Sequence, residues 1–99
     1  MNDLVKQLKN KSKTQAITNK MQTIMNVRQD IIGELEAINQ YTMHIEQSDN
    51  EIAKNIWQSI RAEEEIHIGE LFNLLFKLEP NAFDQFKKGF KESDKFLNE

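Results

Sequence analysis

From Ile24 onward, apolar residues return every three or four positions. Ile24, Val27, Ile31, Leu35, Ile38 and Ile45 trace one stripe, which predicts a long helix starting at an N-cap on Thr18 or Asn19 and running to about Gln47. Ser48-Asp49-Asn50 interrupts it and can cap a second helix over about Glu51–Leu78. The apolar positions of that helix are Ile52, Ile56, Trp57, Ile60, Leu71, Leu74, Leu75 and Leu78. Pro80 ends it, because the residue before proline is pushed out of helical geometry. Asn81 then offers a cap for a third, shorter helix carrying Phe83, Phe86 and Phe90 as packing residues. Gly89 inside it costs about 1 kcal/mol relative to Ala. The short break at 48–50 folds the first two helices into an antiparallel hairpin. The fold class is therefore all-α, a two-helix hairpin plus a short C-terminal helix.

Composition narrows the chemistry. At 99 residues the chain has room for one small domain, and with no cysteine it can hold neither a disulfide framework nor a thiolate metal site. Three glycines and one proline are too few for a turn-dense β-sandwich or a glycine-rich nucleotide loop. No apolar run approaches the roughly 20 residues of a membrane span, and Met1–Asn10 lacks a signal-peptide pattern, so a cytoplasmic protein without a membrane partner is expected.

The net charge of −3 conceals a split. Between Asp3 and Asp30 there is no acid, while Lys6, Lys9, Lys11, Lys13, Lys20 and Arg28 contribute +6; from Asp30 on, 15 acids face 7 bases. Residues 1–18, rich in Lys, Asn, Gln, Ser and Thr, read as a basic, flexible, weakly ordered arm, with the helical domain over 19–97. The arm lacks interleaved aromatics or a docking motif, so no nucleic-acid partner is expected.

Two greasy stripes carry polar interruptions. On the second helix, Trp57, Ile60, Glu64, His67, Leu71, Leu74 and Leu78 keep a three-four step, and Glu64 and His67 form Glu-x-x-His with both side chains on one face. On the first, Val27, Ile31, Glu34, Ile38, Tyr41 and Ile45 behave alike. An ionised Glu on a buried seam is costly unless a cation compensates it. Carboxylate oxygens with an imidazole nitrogen suit iron, manganese or zinc. Di-iron carboxylate bundles take a Glu from each of two helices and Glu-x-x-His from each of the other two. This chain holds half of that set: Glu34, Glu64 and His67, with no second Glu-x-x-His. Two copies about a two-fold axis would complete it as a four-helix bundle, with four carboxylates balancing two divalent cations. Metal would relieve the carboxylates' repulsion, so its binding and dimerisation are expected to be coupled. Tyr41, two turns beyond Glu34, reads either as a core aromatic or as a group beside the metal. Trp57 reads as core, Glu36 as solvated or cation-attracting, and His44 with Met43 as candidates for the path admitting metal. Ser59, Glu63 and Glu70 form a polar surface stripe.

Glu34-Leu-Glu-Ala-Ile-Asn-Gln-Tyr41, Arg61-Ala-Glu-Glu-Glu-Ile-His67-Ile-Gly-Glu and Leu74-Leu-Phe-Lys-Leu-Glu-Pro80 together resemble the encapsulated ferritin family over roughly residues 20–95. The resemblance implies a ferritin-like dimer, five such dimers in a ring, and oxidation of Fe(II) by O2 at a di-iron ferroxidase site inside an encapsulin shell. It implies Glu34, Glu64 and His67 as iron ligands, Tyr41 as the neighbouring tyrosine and Glu36 as an acid that admits metal. Gly33 stands where some members have a further metal-admitting Glu, and Gln40 where some have an aromatic. Lys91–Glu99 does not match the small, hydrophobic, Gly-containing shell-targeting type. Two alternatives stay open: a rubrerythrin-like peroxide-scavenging di-iron protein, disfavoured by the missing cysteines, and a non-catalytic assembly held by metal.

Overall fold

A computed structural model describes residues 2–98, which form α1 (Asn2–Gln47), α2 (Glu51–Leu78) and α3 (Pro80–Leu97). α1 and α2 are the expected hairpin. The break falls at 48–50, where Asn50 Oδ1 accepts the Ala53 N–H at 3.0 Å and Ser48 Oγ accepts the Asn50 N–H at 3.1 Å. These side chains satisfy donors that a helix start leaves free, a contribution of about 1 kcal/mol at an Asn cap.

The structure corrects two boundaries. Residues 2–18, expected as a weakly ordered lead-in ahead of the helix, are helical, and α1 begins at Asn2 instead of at Thr18 or Asn19; Met1 lies outside the described residues. Nothing in this stretch stops a helix: it has no Pro or Gly, and each residue added to a formed helix gains a backbone hydrogen bond. Neither candidate cap acts as one. Thr18 Oγ1 donates back to the Thr14 carbonyl at 2.9 Å, and Asn19 Oδ1 accepts from Gln15 Nε2 at 3.0 Å. At the other boundary α2 does end at Leu78, but Pro80 opens α3 at its first turn, so Asn81 lies inside that helix. Proline suits this position, since its missing N–H would be unpaired there anyway.

α3 leaves the hairpin at Glu79. Arg28 Nη2 on α1 donates to both Glu79 carboxylate oxygens, at 2.8 and 2.7 Å, tying the α2–α3 junction back to α1. That engagement explains why Glu79 makes no side-chain cap on α3. Phe83 and Phe86 meet Phe76 at ring-centroid distances of 5.0 and 5.1 Å, but these two and Phe90, expected as packing residues, are all exposed in the single chain.

The molecule measures 73 × 37 × 16 Å, and α1 accounts for the long dimension. A body this thin is a single layer of helices, so only one seam is shielded. Ile24, Val27 and Ile31 of α1 bury against Leu75 of α2, flanked by Leu71, Phe72 and Leu78, and Ile45 is buried near the turn. Leu35, Ile52, Ile56 and Leu74, expected on the packed stripes, lie on the surface of the single chain. One helix pair covers only a narrow strip of each partner, and helical spacing alone does not say which apolar residues lie in it. Exposed apolar side chains on this scale are characteristic of chains that associate.

Candidate metal centre

Glu34 comes from the C-terminal third of α1, and Glu64 and His67 come from one turn of α2 directly across the seam. His67 Nδ1 lies 3.7 Å from Glu34 Oε2 and 3.7 Å from Glu64 Oε2. The three donor atoms all fall within 4.8 Å of one another, the group of His, Asp and Glu side chains among the described residues that could hold a metal ion. These separations exceed hydrogen-bond length, so the three groups do not satisfy each other. Glu34 Oε2 is shielded from solvent and has no hydrogen-bond partner. A buried carboxylate oxygen without a donor is costly.

A divalent cation bound by the three groups would offset that cost. Donors sharing an ion at about 2.1 Å stand roughly 3 to 3.5 Å apart, so the observed spacing needs only slight contraction. Two carboxylate oxygens and an imidazole nitrogen match first-row transition metals better than magnesium or calcium. Three donors are nevertheless fewer than these metals take, and the set is open on one side. The Glu34 and Glu64 side chains are 27% and 18% exposed, but His67 is 48% exposed. It faces an open groove of about 610 Å³ lined by Gln29, Asp30, Gly33, Glu34, His67, Glu70, Leu71 and Leu74. Further ligands would have to arrive from that side.

Other candidates stand farther off. Tyr41 is half-buried, seven residues beyond Glu34 and so about 10 Å along the axis. It packs edge-on to His44 at 6.3 Å between centroids, and His44 in turn meets Trp57 at 5.1 Å. His44 lies about 15 Å from Glu34 along α1. It faces a separate pocket at the hairpin turn with Gln47, Ser48 and Asp49, and its Nδ1 is buried without a partner. Met43 and Glu36 are exposed, and Glu36 lines neither the groove nor the three-residue group. An added Cβ at Gly33 would meet nothing within 4 Å, so this groove position has room for a side chain.

Sequence reading missed Asp30 as a groove residue and took Glu70 for plain surface. Their offsets were the available signal: Asp30 precedes Glu34 by four residues and Glu70 follows His67 by three. It also missed the hydrogen bond from Arg61 Nη1 to Thr42 Oγ1, 3.1 Å long, which links the helices beside the site.

These features define an all-α, ferritin-like protein, and comparison with known proteins agrees. The encapsulated ferritin domain of Pyrococcus furiosus has a crystal structure that superposes with a TM-score of 0.78 at 32% identity, covering 81% of this chain and 82% of that one. The ferritin-like–encapsulin shell fusion protein of Pyrococcus furiosus is 38% identical over 66 residues, or 67% of this chain and 19% of the fusion. The encapsulin nanocompartment cargo protein EncC of Myxococcus xanthus is 42% identical over 67 residues, or 68% of this chain and 52% of the cargo protein. The chain thus spans about half or less of the length of these curated relatives. No protein-family model matches it. The chain belongs to the encapsulated ferritin family. No helix of the described residues is long and apolar enough to cross a membrane.

Proposed function

We propose that the protein is a ferroxidase that oxidises Fe(II) with O2 at a di-iron site completed by two copies, as cargo of an encapsulin compartment in the cytoplasm. The observation that carries this reading is the convergence of Glu34, Glu64 and His67 around an unpartnered carboxylate oxygen, on the open side of a hairpin. The relationship to an encapsulin cargo protein and to an encapsulated ferritin domain supports the compartment and the iron. Exposed Ile52, Ile56 and Leu74 on α2 support a second copy as the missing half.

In this reading Glu34 and Glu64 supply anionic oxygens and His67 supplies Nδ1 from each copy, so two half-sets offer four carboxylates and two imidazoles. Four negative charges offset those of two divalent ions, which allows the seam to remain closed around them. Iron is the substrate, and bound there it supplies the one-electron chemistry that delivers electrons to O2. The chain's contribution is to hold two ions at a fixed separation and to keep the α1–α2 register, which Arg61 and Thr42 pin beside Glu64. Tyr41 and His44 extend from the site toward the hairpin turn. Glu36, on the exposed side of α1, is assigned to drawing cations toward the protein. Five dimers in a ring, as the family resemblance implies, would place several such sites in one particle.

Oxygen uptake tests the activity. Adding Fe(II) to the aerobic protein should consume O2 well above the rate of the same iron in buffer, while Zn(II) should bind, give no uptake and inhibit later Fe(II). Uptake no faster than in buffer would remove the ferroxidase reading and leave a metal-held assembly. Consumption of peroxide but not O2 would point to the scavenging alternative.

A further inference from the structure

Two features of the chain supply no ligand to the three-residue group, although Glu70 lines the groove that His67 faces. Lys6, Lys9, Lys13 and Lys20 succeed one another by three, four and seven residues, all exposed. Such steps keep to one side of a helix. Four residues beyond Lys20 comes Ile24, which opens the buried seam with Val27 and Ile31. The side of α1 that packs on α2 therefore continues toward Asn2 as a line of lysines interrupted by exposed Ile17, four residues beyond Lys13 and three before Lys20. Residues 2–23 are exposed throughout, because α2, running antiparallel, has ended by the time α1 reaches them. The second feature is on α2, where Glu63 and Glu70 are exposed and seven residues apart. Seven residues of helix measure about 10.5 Å, the same repeat that separates Lys6 from Lys13 and Lys13 from Lys20.

We propose that the lysine line of α1 docks along Glu63 and Glu70 of a second copy's α2, in the manner of the charged flanking positions of helix pairs. Charge selects this occupant. The chain nets +5 before Asp30, six bases against Asp3, and carries 15 acids against 7 bases from there on, so each copy presents both partners of the contact. A greasy helix is a poor match, because four ammonium groups and a single isoleucine, Ile17, stand where the seam has isoleucine and valine. A nucleic acid would meet repulsion from the acidic hairpin, and the stripe has no aromatic to stack on a base. Single exposed ion pairs are weak, but the two at Glu63 and Glu70, acting between copies already held together, suffice to tighten association about tenfold, and salt should erase the gain.

The inference goes beyond the ferroxidase reading and is tested separately from it. The full chain with Lys6→Glu, Lys9→Glu, Lys13→Glu and Lys20→Glu is compared with the native chain by sedimentation at low and high salt, with circular dichroism and metal content as controls. These lysines are exposed, so the helices should persist. Association should weaken about tenfold at low salt and lose most of its salt dependence, with metal per chain unchanged. Adding Glu63→Lys and Glu70→Lys to the same chain should restore it. Native-strength association of the reversed-lysine chain would overturn the proposal. Failure of the double reversal to restore association would also overturn it, as would native association accompanied by lost binding of a short single-stranded DNA probe. Glu34→Ala serves as the separate control: it should remove the metal and leave the lysine-dependent component in place.

Discussion

Replacing Glu34 with alanine is expected to cut Fe(II) oxidation by at least about a hundredfold while leaving the metal-free hairpin as stable as before, or slightly more so. Glu34 is the α1 member of the three-residue group; in the proposed two-copy centre its loss would take two of the four carboxylates and leave the charge of two divalent ions unbalanced. Removing partners even one shell outside a metal commonly costs 10- to 100-fold, and a direct ligand should cost no less. Stability should move the other way because Glu34 Oε2 is shielded and makes no hydrogen bond. Parallel measurement of oxidation rate and urea midpoint checks both halves. A variant that oxidises iron at the native rate rejects the ligand assignment; one that unfolds assigns Glu34 a structural role instead.

The second large effect belongs to the seam. Leu75 is 4% exposed and touches the cluster formed by Ile24, Val27 and Ile31. Leu75→Ala should destabilise the chain by about 2 to 5 kcal/mol, through lost apolar burial and the cavity left behind. Five buried side chains among the described residues are a small core, so a loss of this size is a large share of what holds the hairpin together. Ile52→Ala provides the contrast, since Ile52 is 75% exposed and a surface change of this kind stays within about 0.5 kcal/mol for the isolated chain. Urea unfolding without metal, repeated at several protein concentrations, separates folding from association. A loss below about 1 kcal/mol for Leu75→Ala would mean that the Ile24–Leu75 seam is not the main source of stability.

Much of this architecture is legible in the sequence because its punctuation is strong. Asn50 is a cap whose side chain has one N–H to satisfy, and the proline at 80 cannot continue α2, so both hairpin limits are set locally. Glu34, Glu64 and His67 stand out because they break apolar stripes, and the two helices bring them to within one ion's reach. Where local chemistry is silent, the sequence is too. No residue between Asn2 and Asn19 forbids a helix or demands one, so the beginning of α1 depends on propagation from the packed part. The bond between Arg28 and Glu79 joins residues 51 apart, and no local spacing rule anticipates it. The exposure of Leu35 and Ile56 reflects a protein one helix layer thick, a dimension that a stripe of apolar residues does not encode.

Native mass of the full chain, titrated with Fe(II) without oxygen and read together with metal per chain, puts the shared centre to its most direct test. The account predicts even-numbered assemblies that tighten as iron is added and saturate at one metal per polypeptide. Iron taken up by a species that remains a monomer throughout would contradict it.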